Sequence, residues 1–238
     1  MAGTNQTISA PGRAVVLMSG GLDSCVTTAI ARTDHQLFGL HANYGQRTEG
    51  RELAAFEAQA DYFSIEGRMV VDLGYLGAIG GSSLTDAEIG IPEGNLGNRN
   101  IPNTYVPFRN AHFLSVAVSW AEVIGAEKVF IGAVAEDSSG YPDCRADYYD
   151  AINVLIDIGT RPSTRIEVVT PLIRLRKSEI VSKGIELGAP LDKTWSCYGH
   201  ENTACGTCDS CLLRLRAFHE AGLADPIRYE GKPQFAGV

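Results

Sequence analysis

Four cysteines near the C-terminus follow the spacing Cys197-x7-Cys205-x2-Cys208-x2-Cys211, four soft ligands within fifteen residues. Thiolates at such spacing close a tetrahedral Zn²⁺ site with no open position, so the expected role is structural. One ion would lend folding free energy to a tail too short for a core of its own. The last three cysteines also match the start of an iron–sulfur motif, but Leu215 stands where that motif has its Cys-Pro. His200 is an alternative ligand, while Cys25 and Cys144 lie outside the cluster and read as buried packing.

A second chemical signal lies near the start, at Ser19-Gly20-Gly21-Leu22-Asp23-Ser24. A glycine-rich turn between an apolar run and a helix start presents several backbone N–H groups and a positive dipole end to one point, which suits an anion. Glycine lets the backbone approach phosphate oxygens, and Ser19 and Ser24 add hydroxyl donors. The plainer alternative is a β-turn in which Asp23 caps the helix. The loop has no cation, and Lys177, opening a later helix in Arg174–Ile180, is the candidate to supply one.

These groups need a frame. Five short Val-, Ile- and Leu-rich runs, 14–18, 37–41, 68–72, 128–134 and 166–170, read as buried parallel strands. Amphipathic stretches alternate with them at 25–31, 48–63, 110–124, 146–159 and 177–187. The alternation predicts a three-layer α/β sandwich on a five-stranded parallel sheet. The flexible N-terminus is expected at 1–13, the main domain at 14–190 and a small C-terminal zinc module at 191–238. Residues 74–108, crowded with Gly, Asn, Ser and Pro, are expected to form a lid-like loop with at most one turn near Thr85–Glu88. Tyr44, Gln46 and Arg47 follow the second strand, at the sheet edge where nucleotides bind in open α/β folds.

Composition narrows the function classes. The 238 residues carry a net charge of −8, a poor footprint for a stable nucleic-acid partner. The acidic excess lies before residue 161, which leaves room for an anion site in the last third. No apolar run approaches the roughly 18 residues of a membrane span, and a cytoplasmic protein is expected.

The six-residue loop resembles the pyrophosphate loop of the N-type ATP pyrophosphatases (the PP-loop superfamily), which cleave ATP between its α and β phosphates. Two further strings, Tyr105–Asn110 and Glu136–Arg145, join the loop, Lys177, the Thr194–Tyr198 lead-in and the cysteines. In this order, from about Val15 to Phe218, the chain is similar to the 7-cyano-7-deazaguanine synthases of that superfamily.

The resemblance implies an adenine-nucleotide-hydrolase-like, Rossmann-like sheet and an ATP-dependent C–N ligase of queuosine biosynthesis. Its substrates would be ATP with Mg²⁺, ammonia and 7-carboxy-7-deazaguanine, and its assembly a homodimer. It places ATP at Met18, Ser19, Gly20, Gly21, Leu22, Asp23 and Ser24, with Lys177 meeting the phosphates; the sheet-edge position of Tyr44, Gln46 and Arg47 puts that segment on adenosine. Ser19, Asp23, Ser24 and Lys177 would carry the catalysis, with Asp23 as a neighbour of Mg²⁺. Arg109 and Asn110 would line the substrate cleft, with helix capping as their plainer alternative. A deazaguanine offers adjacent N–H donors beside an acceptor, so a carboxylate is its natural reader. Asp143 is the first choice and Asp137 the second, with Tyr141 stacking on the ring and Arg145 meeting O6 or the carboxylate. Two readings compete: the same chemistry on a tRNA base, or a nucleotide sensor without turnover.

Overall fold

The computed structural model describes residues 11–94, 96, 100–135 and 140–231. Its centre is one sheet of five parallel strands, β1 (Gly12–Leu17), β2 (His35–Asn43), β3 (Gly67–Asp72), β4 (Lys128–Phe130) and β5 (Glu167–Val169), in the order β3-β2-β1-β4-β5. The strand order reverses at β1, so the chain leaves β1 and β4 in opposite directions and a crevice opens beyond their C-terminal ends.

Alternation along β1 explains the layers. Ala14 and Val16 face a cluster that includes Val26, Phe56, Ile180 and Phe218. That layer holds α1 (Leu22–Ala31), α2 (Glu49–Tyr62), α6 (Lys177–Glu186) and α7 (Asp209–Glu220). Val15 and Leu17 face the other side, with Leu114, Ala121, Tyr149 and Ile156. Those residues belong to α4 (Arg109–Ile124) and α5 (Ala146–Gly159). The three-layer sandwich expected from the alternation is the architecture observed.

Two expectations change. The fourth strand stops at Phe130, where its pairing with β1 ends at Val16. Two residues on, a Cβ at Gly132 would lie 2.9 Å from the Asp23 carbonyl carbon, so the chain there runs against the Ser19–Ser24 loop. Segment 74–108 is also more ordered than a bare loop. It contains α3 (Tyr75–Ile79) and a small core of Leu76, Leu84 and Val106 packed on Tyr44 and Leu73. Among the described residues, no helix is long and apolar enough to cross a membrane.

Candidate active site

The loop after β1 has the shape of an anion cradle. Gly20 sits at φ +83°, and a Cβ there would lie 2.5 Å from the Glu52 carbonyl oxygen, so only glycine fits between loop and α2. Gly21 is the extended residue before α1. Its N–H reaches Ser19 Oγ at 3.3 Å, and Ser19 Oγ lies 3.2 Å from Ser24 Oγ. Asp23 does not cap the helix. Its carboxylate pairs with Lys177 Nζ, while its Oδ1 is buried without a hydrogen-bond partner. Lys177 is placed by the start of α6, where Glu179 folds back to accept the Arg176 N–H at 2.8 Å. The charge that the loop lacks thus arrives from a residue 154 positions away.

A cleft of about 300 Å³ runs from this loop along the C-terminal end of the sheet. Its wall carries Arg47, Arg109, Lys177 and Arg214 against Asp23 and Glu52, four cations facing two carboxylates in an acidic protein. In the same wall Arg109 Nη1 donates to Tyr44 Oη at 2.9 Å, and its guanidinium lies 5.1 Å from the Tyr44 ring centre and 5.6 Å from that of Phe113. Arg109 Nε is buried without a partner. Burial pushes the Tyr44 hydroxyl up to about 12, so it is neutral at working pH. Tyr141 shares a 2.7 Å hydrogen bond with Thr104. Asp23 Oδ1 and Arg109 Nε are both buried without a partner, and both residues line this one cleft.

Not every expected residue joins that wall. Met18, Ser19, Gly21, Leu22, Asp23, Ser24, Tyr44, Gln46, Arg47, Arg109, Asn110, Tyr141 and Lys177 line it, and Gly20 lies buried just behind. The Arg47 guanidinium, however, is spent on the carbonyls of Ser83, Asp86 and Ile89, at 2.8, 2.8 and 2.6 Å, tethering segment 74–108. Gln46 bridges the Tyr44 N–H and Glu52. Asp143 is buried and its Oδ2 accepts the Asn110 N–H at 3.1 Å, so it caps α4 rather than the α5 that follows it. Arg145, the residue before α5, is exposed and outside the cleft wall. Asp137 lies outside the described residues. Cys144 is in the wall, but burial and then Asp143 push its thiol up to about 11, and burial pushes Cys25 to about 12.

Other wall residues carried no earlier assignment. Glu52 accepts from Thr48 Oγ1 at 2.8 Å and Gln46 Nε2 at 3.1 Å, and burial raises its carboxyl above the ordinary range. The Thr48-x3-Glu52 spacing, one turn of α2, was the available signal. Trp195, Ser196 and Tyr198 come from the lead-in to the cysteines, so the C-terminal module closes one side of the cleft.

The ligand atoms of Cys197, Cys205, Cys208 and Cys211 all lie within 4.8 Å of one another. Cys205 and Cys211 sulfurs are 3.8 Å apart, which matches the roughly 3.8 Å edge of a tetrahedron with ~2.3 Å Zn–S bonds. Backbone N–H groups of Thr207 and Cys208 point at Cys205 Sγ, both at 3.4 Å, and the Cys205 N–H at Cys197 Sγ, also 3.4 Å. Such donors stabilise negative sulfur. All four are free thiols, and the set fits a metal such as zinc. His200 turns to Glu230 at 3.0 Å and stays outside the cluster.

A family profile described as queuosine biosynthesis protein QueC matches residues 13–222. A 7-cyano-7-deazaguanine synthase of Chlorobium chlorochromatii is 59% identical over 94% of this chain and 98% of its own length. That of Chlorobium phaeobacteroides is also 59% identical, over 94% and 99%. Among solved structures, an NMN synthetase from Francisella tularensis aligns with 91% of this chain and 79% of its own at 14% identity and a TM-score of 0.47. With a profile spanning most of its length and relatives of this identity along nearly all of theirs, the chain belongs to the queuosine biosynthesis protein QueC family.

Proposed function

We propose that this protein is an ATP-dependent ligase that turns 7-carboxy-7-deazaguanine and ammonia into 7-cyano-7-deazaguanine. The observation that carries the reading is the single cleft joining the Ser19–Ser24 loop and Lys177 to Arg109. Neither carboxylate nor amide oxygen is a good leaving group, so each must be activated. A substrate carboxylate oxygen attacks the ATP α-phosphorus, and the bond to pyrophosphate breaks. Ammonia then attacks the carbonyl carbon, and AMP departs with that oxygen. The amide oxygen repeats the attack on a second ATP, and loss of the second AMP with a proton leaves the nitrile.

The residues divide along the cleft. The Gly21 N–H, the Ser19 and Ser24 hydroxyls and Lys177 take up charge on the leaving pyrophosphate, where fixed donors act most strongly. Mg²⁺ arriving with ATP would neutralise the phosphates, and Asp23, with its unpaired Oδ1, is the residue to hold it. Arg109 offers its unpaired Nε to the reacting carboxylate, while Phe113, Tyr141 and Tyr198 form aromatic walls for a flat heterocycle. Tyr44 and Gln46 stay assigned to the adenosine end, with Arg47 holding the segment that covers it. Asp143 serves the site through Asn110, and Glu52 is the wall carboxylate suited to the donor edge of the deazaguanine. One zinc ion on the four cysteines holds the module that closes the cleft. A homodimer fits the exposed Val154, Leu155 and Ile158 of α5, which share one helix face.

The test uses substrate labelled with ¹⁸O in its carboxylate, incubated with Mg²⁺, ATP and ammonium. The expected result is two AMP per nitrile, each carrying one labelled oxygen, with unlabelled pyrophosphate. Unlabelled AMP, or ADP in place of AMP, would refute the two-adenylation scheme.

A further inference from the structure

The carbonyl of Gly20 is held from two sides. Gln59 Nε2 donates to it at 2.8 Å and the Trp195 backbone N–H at 2.9 Å. Gln59 is fully buried in α2 and its Nε2 also reaches the Lys193 carbonyl at 3.2 Å. Its Oε1 is buried with no partner. An apolar chain of similar length would remove the orphaned oxygen but would also take the donor from the Gly20 and Lys193 carbonyls, so the use of the glutamine lies in what its Nε2 holds.

Geometry gives the glutamine its use. In a trans peptide the C=O and the following N–H point in opposite directions. Fixing the Gly20 carbonyl toward α2 and Trp195 therefore turns the Gly21 N–H out toward the cleft. There, among the described residues, it meets only Ser19 Oγ, at 3.3 Å, beyond the usual hydrogen-bond range. The second pin is itself held by the cysteine module. Arg214 in α7 donates to Thr194 Oγ1 at 2.6 Å and Trp195 Nε1 donates to the His200 carbonyl at 3.1 Å, while from α2 Arg51 lies 4.5 Å over the indole.

We infer that Gln59 and the Trp195 N–H are positioning groups for the phosphate loop. They set the Gly20–Gly21 peptide so that its N–H receives a pyrophosphate-type anion. Through Trp195 the cysteine module contributes to nucleotide binding as well as to folding. The inference rests on the cleft being an ATP site.

Gln59→Met removes the donor at nearly constant volume. The expected result is a Tm within about 3 °C of wild type, since the lost hydrogen bonds are partly offset by the lost orphan oxygen. ATP and pyrophosphate dissociation constants should rise about tenfold, the loss of one oriented donor, while the KM for the deazaguanine substrate holds. Hydrogen exchange over residues 17–24, read without ligand, should quicken. A second variant, Gln59→Glu, guards against misfolding of the first: its buried acid donates a hydrogen bond only when protonated, so ATP affinity should recover as pH falls from 8 to 6. Lower Tm with unchanged ATP affinity and exchange, or a Gln59→Glu variant indifferent to pH, would overturn the inference while the function stands. Wild-type protein binding neither ATP nor pyrophosphate would refute the ATP site and this inference together.

Discussion

Replacing Arg214 by methionine tests how the C-terminal module is joined to the sheet domain. Arg214 and Asp225 side chains are 2% and 5% exposed and meet through two hydrogen bonds, 2.7 and 2.9 Å. The same guanidinium serves Thr194 Oγ1 at 2.6 Å and the Leu191 carbonyl at 3.2 Å. Methionine would leave Asp225 buried with the Tyr229 hydroxyl at 2.6 Å and the Ile227 N–H at 3.2 Å as its donors among the described residues. Breaking a buried pair from one side costs about 3–5 kcal/mol. At roughly 2–4 °C per kcal/mol for a domain of this size, Tm should drop by about 6–20 °C. Arg214→Met with Asp225→Leu should be the more stable variant at pH 7, because no buried charge remains. Thermal unfolding of the three proteins at pH 7 decides it. A double variant no better than the single would refute the reasoning.

Lys177→Met should lower kcat/KM for the ATP-dependent reaction by about 10²–10³, the scale of one lost donor at a developing charge, with a small change in Tm because the Asp23 pair is partly exposed; steady-state kinetics and melting check both. Elemental analysis should find one zinc per chain and no visible absorbance of an iron–sulfur cluster, and Cys208→Ser should lose both the metal and much of the melting temperature. Burial lowers the pKa of His41 below its ordinary 6.5 despite its contacts with Met18 and Asn43. The unfolded chain therefore takes the proton first, and stability should fall as pH drops from about 6.5 toward the folded value, by at most ~1.4 kcal/mol per unit. Denaturant titrations of wild type and His41→Phe should show that slope only in wild type.

The centre of the sheet was legible because β1 is a short apolar run bounded by turns, and burial on both faces leaves that signature. Ala14 to Leu17 are all buried, alternately on the two layers. The missed helix, Tyr75–Ile79, has two flanking glycines, a third inside and one buried residue. No periodicity can show in five positions. The fourth strand looked too long for a related reason: Ile131, Ala133 and Val134 are buried and apolar like strand residues, but they pack at the site after the pairing with β1 has ended.

The site was legible where chemistry is local and obscure where it depends on direction. A Gly-rich turn must offer its N–H groups wherever it stands, and four clustered thiols must meet. A carboxylate carries no such obligation. Asp143 had the right type and neighbourhood to read a heterocycle, yet its chain turns it onto the Asn110 N–H in the first turn of α4, where a negative charge is favoured by the helix dipole. Glu52 sits within a helix that otherwise reads as a plain amphipathic element, and only its turn toward Thr48, Gln46 and the cleft distinguishes it. Contributions from Trp195 and Tyr198 are harder still to foresee. They depend on Arg214 and Asp225 drawing the cysteine segment back against a loop more than 170 residues earlier. The parts of this site that a spacing rule misses are therefore those fixed by long-range closure, and the Gly20 carbonyl is where that closure reaches the Ser19–Ser24 loop.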